Sequence, residues 1–164
     1  MSLTDPMICL QCLALADYLN ASKFKSYIEQ LTVSKLSLET AIPAYCYASK
    51  FNSCLLLDSA EQMIRSNFGA LADSEDLEWL DKSEIEFFIK SNEEHEEVDL
   101  LHTLLKWLEM YPAYTEDLIS LIRPALLTPE DLNFSFPDFA NRSLMRLAER
   151  VKAYHKNLGI QESG

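Results

Sequence analysis

Glycine is nearly absent: the 164 residues hold three, Gly69, Gly159 and Gly164. Tight hairpins and phosphate-cradling loops need residues at ease with positive φ, so there is little material here for a meandering sheet or a glycine-rich nucleotide loop. Long apolar runs are missing too. No stretch approaches the roughly 18 residues of a membrane-spanning helix, and the first residues lack the charged start and apolar core of a secretion signal. Basic residues are outnumbered, 14 Lys and Arg against 26 Asp and Glu, for a formal net charge of −12. That balance disfavours nucleic acid and anionic lipid, both polyanions. G-x-S-x-G, H-E-x-x-H, Walker and dinucleotide signatures are absent. The expectation is a chain that is not an enzyme and carries no cofactor or metal.

What the chain has is helical periodicity. In Asp99–Leu132, DLLHTLLKWLEMYPAYTEDLISLIRPALLTPEDL, the residues Leu101, Leu104, Leu105 and Leu108 mark one helix face. Leu100, Trp107 and Tyr111 widen it beyond half the circumference, leaving His102, Lys106 and Glu109 as a narrow polar strip. Such a helix must be covered on most sides. Pro112 stops it. A second helix is predicted from Thr115, burying Leu118, Ile119, Leu121 and Ile122, with Arg123 placed to complement the negative end of its dipole and Pro124 ending it. Thr128, Pro129 and Asp131 signal a further helix start.

Upstream, Asp5 and Pro6 open a helix carrying Ile8, Cys12, Leu15 and Leu19. A turn at Asn20–Ser22 leads into a second bearing Phe24, Tyr27, Ile28 and Leu31. A weak repeat at an offset of 32 residues relates ADYLN, ending at Asn20, to ASKFN, ending at Asn52. It fits helical hairpins stacked in series. The second hairpin runs from Ser37 to Phe68, one helix carrying Leu38, Ala41, Tyr45, Ala48 and Phe51, the other Leu57, Ala60, Ile64 and Phe68, with Gly69 as its stop. Asp73 and Asp81 each precede an acid three residues on, as in capping boxes, and Ile85, Phe88 and Ile89 give the second short helix its apolar edge. The acidic stretch Asp73–Asp99 holds twelve acids against Lys82 and Lys90, read as a solvated surface. A last helix, from about Phe139 to Leu158, buries Leu144, Leu147, Val151 and Tyr154 and exposes Arg142, Arg146, Arg150 and Lys152. The fold class is therefore all-α: serial antiparallel helical hairpins and no sheet.

Chemistry-bearing residues are few. Cys9 and Cys12 form a lone CxxC inside an apolar helix, without the second ligand pair of a zinc site, and Cys46 and Cys54 likewise fit small buried hydrophobes. His95, among four glutamates, and His102 match no closed metal site. The remaining candidates are Tyr45, Tyr47 and Phe51, three aromatics in two helical turns. One face cannot hold all three, so at least one is expected to be partly exposed; core packing is the first reading, and a partner-binding surface is the alternative carried as the candidate site.

Laid end to end, these segments resemble the BACK domain, the helical region between the BTB domain and the propeller of BTB-BACK-Kelch proteins. LALADYLNASKFKSYIEQL is similar to the last helical pair of a BTB domain, and TAIPAYCYASKFNSCLLLDSAEQMIRSNF to the opening BACK hairpin. LLHTLLKWLEM carries the family's tryptophan at Trp107, LISLIRPALLTPEDL its Arg-Pro-x-Leu-Leu-x-Pro pattern at Arg123–Pro129, and LAERVKAYH the helix that leads into a propeller. The resemblance implies three parts: residues 1–36 as the end of a BTB domain, 37–132 as BACK with the 3-box at about 37–68, and 133–164 as a helix leading to a further domain. It implies a piece of a longer protein, without the main BTB body or a propeller. It implies a non-catalytic adaptor of cullin-3 ubiquitin ligases, spacing a cullin-binding end from a substrate-binding one, with a scaffold role outside ubiquitin ligation as the alternative. The expected partners are cullin-3 and a substrate protein held by a C-terminal domain. The piece is expected to be monomeric and the full protein a homodimer through BTB, in the cytoplasm, with the nucleus as the alternative compartment.

Overall fold

The computed structural model describes residues 5–91 and 96–162. Among them are eight α-helices joined by short 3-10 turns, and no strand. The chain is all-α, as its glycine-poor, periodic sequence predicts. It divides into two compact units, one made of the residues up to Asn67 together with Ser74–Leu80, the other of Phe68–Asp73 together with the residues from Asp81 onward.

The first unit is two helical hairpins. α1 (Pro6–Tyr18) starts as predicted: the Asp5 carboxylate accepts from the Met7 amide, and Pro6 takes the position where its missing N–H costs nothing. α2 (Ser22–Ser34) returns beside it, tied by an ion pair of 2.7 Å between Lys25 and Asp17. α3 (Ala41–Lys50) and α4 (Cys54–Asn67) form the second hairpin. Leu10, Leu13, Ile28, Ala44, Ala48, Leu56 and Ala60 make the common core. The buried Ser53 hydroxyl donates to the Glu29 carboxylate, so one of the few polar side chains in this interior is satisfied between α2 and α4.

Both hairpins turn the same way. Asn20 and Asn52, the two equivalent positions of the 32-residue repeat, are the non-glycine residues with positive φ among those described, each at 54°. After each, an amide reaches back five residues, Ala21 to the Ala16 carbonyl and Ser53 to the Ala48 carbonyl, at 3.0 and 2.9 Å. This is the left-handed helix stop that glycine usually supplies and that asparagine tolerates best among the other residues.

The face of α1 differs from the predicted one. Cys9, Leu10, Leu13 and Ala16 are buried, whereas Leu15 and Leu19 are exposed. α1 is apolar almost all round, so periodicity offers no contrast from which to choose a face. On α2, Ile28 is buried as expected but Phe24 and Tyr27 are exposed, and the second buried residue is Thr32, whose hydroxyl donates to the Ile28 carbonyl at 2.7 Å.

The second unit is built around α6 (Glu97–Met110), which buries Leu100, Leu101, Leu104, Leu105, Trp107 and Leu108 and leaves His102, Lys106 and Glu109 exposed, as predicted. Each buried leucine contributes roughly 1.5–3 kcal/mol relative to exposure. Thr103 lies inside that face and is also buried. Its hydroxyl sits 3.1 Å from the carbonyl oxygens of Phe68 and Asp99. α5 (Lys82–Lys90) buries Ile85, Phe88 and Ile89, with the Phe88 ring stacked on Phe68 at 6.0 Å. Tyr111, expected in the apolar face, is exposed just past the end of α6, its ring 4.5 Å from that of Trp107.

Several predicted helices are shorter than expected. α7 spans Thr115–Ile119, and Pro129–Leu132 forms a 3-10 turn closed by the Thr128–Asp131 capping box. Ser74 caps the turn at Glu75–Trp79 in place of Asp73, and Gly69 lies in a 3-10 turn with no positive φ, so the stop after α4 is a tightened last turn. Arg123 lies beyond α7. Its guanidinium and its amide grip the buried Glu97 carboxylate at 2.8–3.2 Å, so its charge serves the start of α6 and leaves the end of α7 without it. α8 (Asn141–Glu162) buries Leu144, Leu147 and Val151 and exposes the predicted cations, and it runs on through Gly159. Tyr154 is exposed; the neighbouring His155 is half-buried and donates from Nε2 to the Leu127 carbonyl at 2.7 Å.

Two predictions follow from these helix ends. Asn52→Ala should cost about 1 kcal/mol, through the steric penalty of the left-handed backbone, while Asn52→Gly should be neutral or stabilising; urea unfolding of the three proteins measures the difference. The second concerns Asp81, whose carboxylate accepts from the Glu84 amide at 2.8 Å while Glu84 bonds back to the Asp81 amide at 3.1 Å. Partial burial raises the Asp81 pKa, but hydrogen bonds from Glu84 and Ser83 outweigh it and hold the carboxyl below its ordinary value. A depressed carboxyl stabilises above its unfolded pKa and loses that contribution as pH falls through the folded one. Asp81→Ala should therefore cost about 1 kcal/mol near neutrality and progressively less below about pH 3.9; unfolding midpoints measured against pH test this.

Candidate partner-binding surface

Small residues set the geometry of the α3–α4 hairpin. Ala41, Ile42, Ala44 and Ala48 are buried in α3, and Ala60 with Leu56 answers them from α4. Alanines let the two backbones approach closely, which leaves the large side chains of α3 on the flanks. Tyr45, Tyr47 and Phe51 are each half-buried. Tyr45 and Tyr47 pack partly against the core that holds Ala44 and Leu56.

The three do not form one cluster. Tyr47 and Phe51 are one turn apart and their rings meet at 5.8 Å with a 41° tilt. Tyr45 is two residues from Tyr47, about 200° round the helix, and so stands on the opposite flank. Lys50 reaches over the Phe51 ring, its Nζ 5.5 Å from the centroid, a cation–π contact worth about 0.5–1 kcal/mol at an exposed site. The Tyr47 flank is thus an aromatic pair with a cation at its edge, placed just before the left-handed turn at Asn52. Such amphipathic rings, held by packing on one side and open on the other, suit a protein partner: they bury area on docking while losing little rotamer freedom.

Sequence reasoning missed a neighbour. Trp79, in the 3-10 turn Glu75–Trp79 of the same unit, is partly exposed, and its carbonyl lies 3.8 Å from the Cys46 thiol on α3. Its position 28 residues after Phe51 gave no signal in the sequence.

The other candidates are placed as follows. Cys9 is buried, and burial pushes its thiol pKa up, away from thiolate chemistry; Cys12 is half-buried one turn on. Cys46 is half-buried and Cys54 exposed. Exposed His102 packs its ring 5.2 Å from Phe134. His95 falls outside the described residues. No group of three or more His, Cys, Asp or Glu among the described residues is arranged to hold a metal ion, and no described helix is long and apolar enough to cross a membrane.

The family model BACK, BTB And C-terminal Kelch, matches residues 41–135, from the first residue of α3 to the segment before α8. The chain belongs to the BACK family. Comparison with curated proteins returned no match. A BACK domain is a non-catalytic adaptor-type helical module of BTB-Kelch proteins and takes part in protein–protein interaction, and both hairpin helices α3 and α4 lie within the matched residues.

Proposed function

We propose that this BACK chain is an adaptor of cullin-3 ubiquitin ligases, holding a cullin-binding end and a substrate-binding end at a set distance. The observation that carries the reading is the Tyr47–Phe51 pair. It is half-exposed, at the C-terminal end of a helix that belongs to the family's opening hairpin, just ahead of the Asn52 turn. The docking surface of this hairpin is taken to lie there. The resemblance of the flanking segments supports the rest: residues 1–36 as the end of a BTB domain, homodimerisation of the full protein through BTB, and a substrate protein held by a C-terminal domain. The module itself has no catalytic role in this reading. Its work is geometric and takes place in the cytoplasm.

The test is a calorimetric titration of the chain with the N-terminal region of cullin-3, repeated with Phe51→Asp. Saturable binding that the substitution weakens about tenfold or more, with helical circular dichroism retained, supports the reading. Phe51→Leu separates packing from recognition: it should keep the fold and lose part of the affinity. Absence of binding by the well-folded chain and by a longer BTB-containing chain would favour the scaffold role outside ubiquitin ligation.

A further inference from the structure

α8 is a net basic element of an acidic chain, with five of its fourteen Lys and Arg. Five basic residues, Arg142, Arg146, Arg150, Lys152 and Lys156, face two acids, Glu149 and Glu162, which leaves α8 at +3 on a chain of net charge −12. Arg142, Arg146 and Arg150 recur every fourth residue and form one stripe. Where that stripe passes α7 there is a cleft of about 160 Å³. Its floor is Ile119 and Leu147, both almost wholly buried. Its rim carries Arg146, Arg150, Ser143 and Ser120.

The charges on the rim are only loosely committed. Arg146 Nη1 lies 3.1 Å from Glu116 Oε1, but both side chains are more than half exposed, and such a pair contributes little and exchanges readily. Arg150, one turn on, forms no ion pair among the described residues, and neither does Arg142. The Ser120 hydroxyl is engaged with the Asp117 carbonyl, while Ser143 offers a hydroxyl at the rim. Two guanidinium forks one turn apart above an apolar floor fit a compact oxyanion whose neighbour is aliphatic. A long polyanion fits less well, since the remainder of the chain repels it, whereas a single phosphate or carboxylate feels chiefly the charges within a Debye length of about 8 Å.

We propose that the α7–α8 cleft docks an acidic segment of a partner protein, seating one side-chain oxyanion, of phosphoserine or of glutamate, between Arg146 and Arg150. Glu116 occupies the Arg146 fork in the unbound protein and is displaced on docking. The site lies in the second unit and is independent of the cullin-3 reading.

The experiment is fluorescence anisotropy with a short labelled peptide in which one phosphoserine is flanked by leucines, compared with the serine and glutamate versions. The phosphoserine peptide should bind with an affinity that falls as salt rises. The glutamate peptide should bind more weakly, and the serine peptide at least about tenfold more weakly than the phosphopeptide. Arg146→Gln and Arg150→Gln should each weaken binding about tenfold, Glu116→Gln should tighten it by freeing Arg146, and Lys152→Gln, outside the cleft, should leave it unchanged. All four side chains are exposed, so the variants should keep their helical circular dichroism, and Arg150→Gln should leave any cullin-3 titration unaltered. Equal binding of the serine peptide, or indifference to Arg150→Gln, would overturn the proposal. So would inorganic phosphate competing as strongly as the phosphopeptide, or an RNA oligonucleotide binding more tightly than either peptide.

Discussion

Every α-helix leaves its first amides and last carbonyls without intrahelical partners, and the eight helices among the described residues must be closed with almost no glycine. That constraint shapes the molecule more than any single contact does. Where the chain doubles back between paired helices, asparagine takes the left-handed position, at Asn20 and again at Asn52. Elsewhere 3-10 turns take over: Phe68–Ala70 directly follows α4, Pro112–Tyr114 leads into α7, and Pro124–Leu126 lies beyond it, the last two opened by proline. Starts are closed by side chains: Asp5 on Met7, Asp81 with Glu84, Thr128 with Asp131.

The second unit shows what happens where such closure is buried. Glu97 opens α6 with its carboxylate almost wholly out of water, a placement that would be strongly unfavourable for an unpaired charge. Arg123 resolves it with three donors, its amide, Nε and one Nη. The pair also accounts for the path of the chain after α7: the segment that carries Arg123 is brought back across the start of α6. His155 does the same from the other side, fastening α8 to the Leu127 carbonyl, so the run Arg123–Leu127 is held at both ends by side chains distant in sequence. The Arg-Pro-x-Leu-Leu-x-Pro pattern then has a physical meaning, with an arginine for the buried carboxylate, prolines that force the turns, and Leu127 buried between them.

Legibility in the sequence tracked contrast. α5 and α6 have sharply separated apolar and polar faces, and there the buried apolar residues match expectation, whereas Thr103 and Glu97 are buried as well and Tyr111 is exposed. α1 lacks that contrast, and the face read from it was the wrong one. The starts at Asp81 and Thr128 are legible because each cap and its partner lie three residues apart, while at Asp73 the same spacing points one residue short of the true cap, Ser74. Helix lengths after Pro112 were not legible, since α7 ends at Ile119 through packing, five residues before the proline that was expected to end it. The pairing of Arg123 with Glu97 spans 26 residues and no local rule announces it. The candidate surface was legible in part. Periodicity alone says that Tyr45, Tyr47 and Phe51 cannot share one face, and the structure adds that Tyr45 stands on the opposite flank from the other two. Trp79, brought beside α3 by a turn from elsewhere in the chain, was beyond reach of any pattern within the helix.

The same small residues that make the first unit compact also make it usable. Ala44, Ala48 and Ala60 belong to the core between the helices and Ile42 is the large side chain of α3 that is fully buried, so the aromatic mass of the helix is left half-exposed on its flanks. Had Tyr47 and Phe51 been required to fill the core, exposing them to a partner would have cost the hairpin its packing. As they sit, Tyr47 packs against the core, and Phe51 rests against the Tyr47 ring under Lys50, so docking there would order little that is not already held.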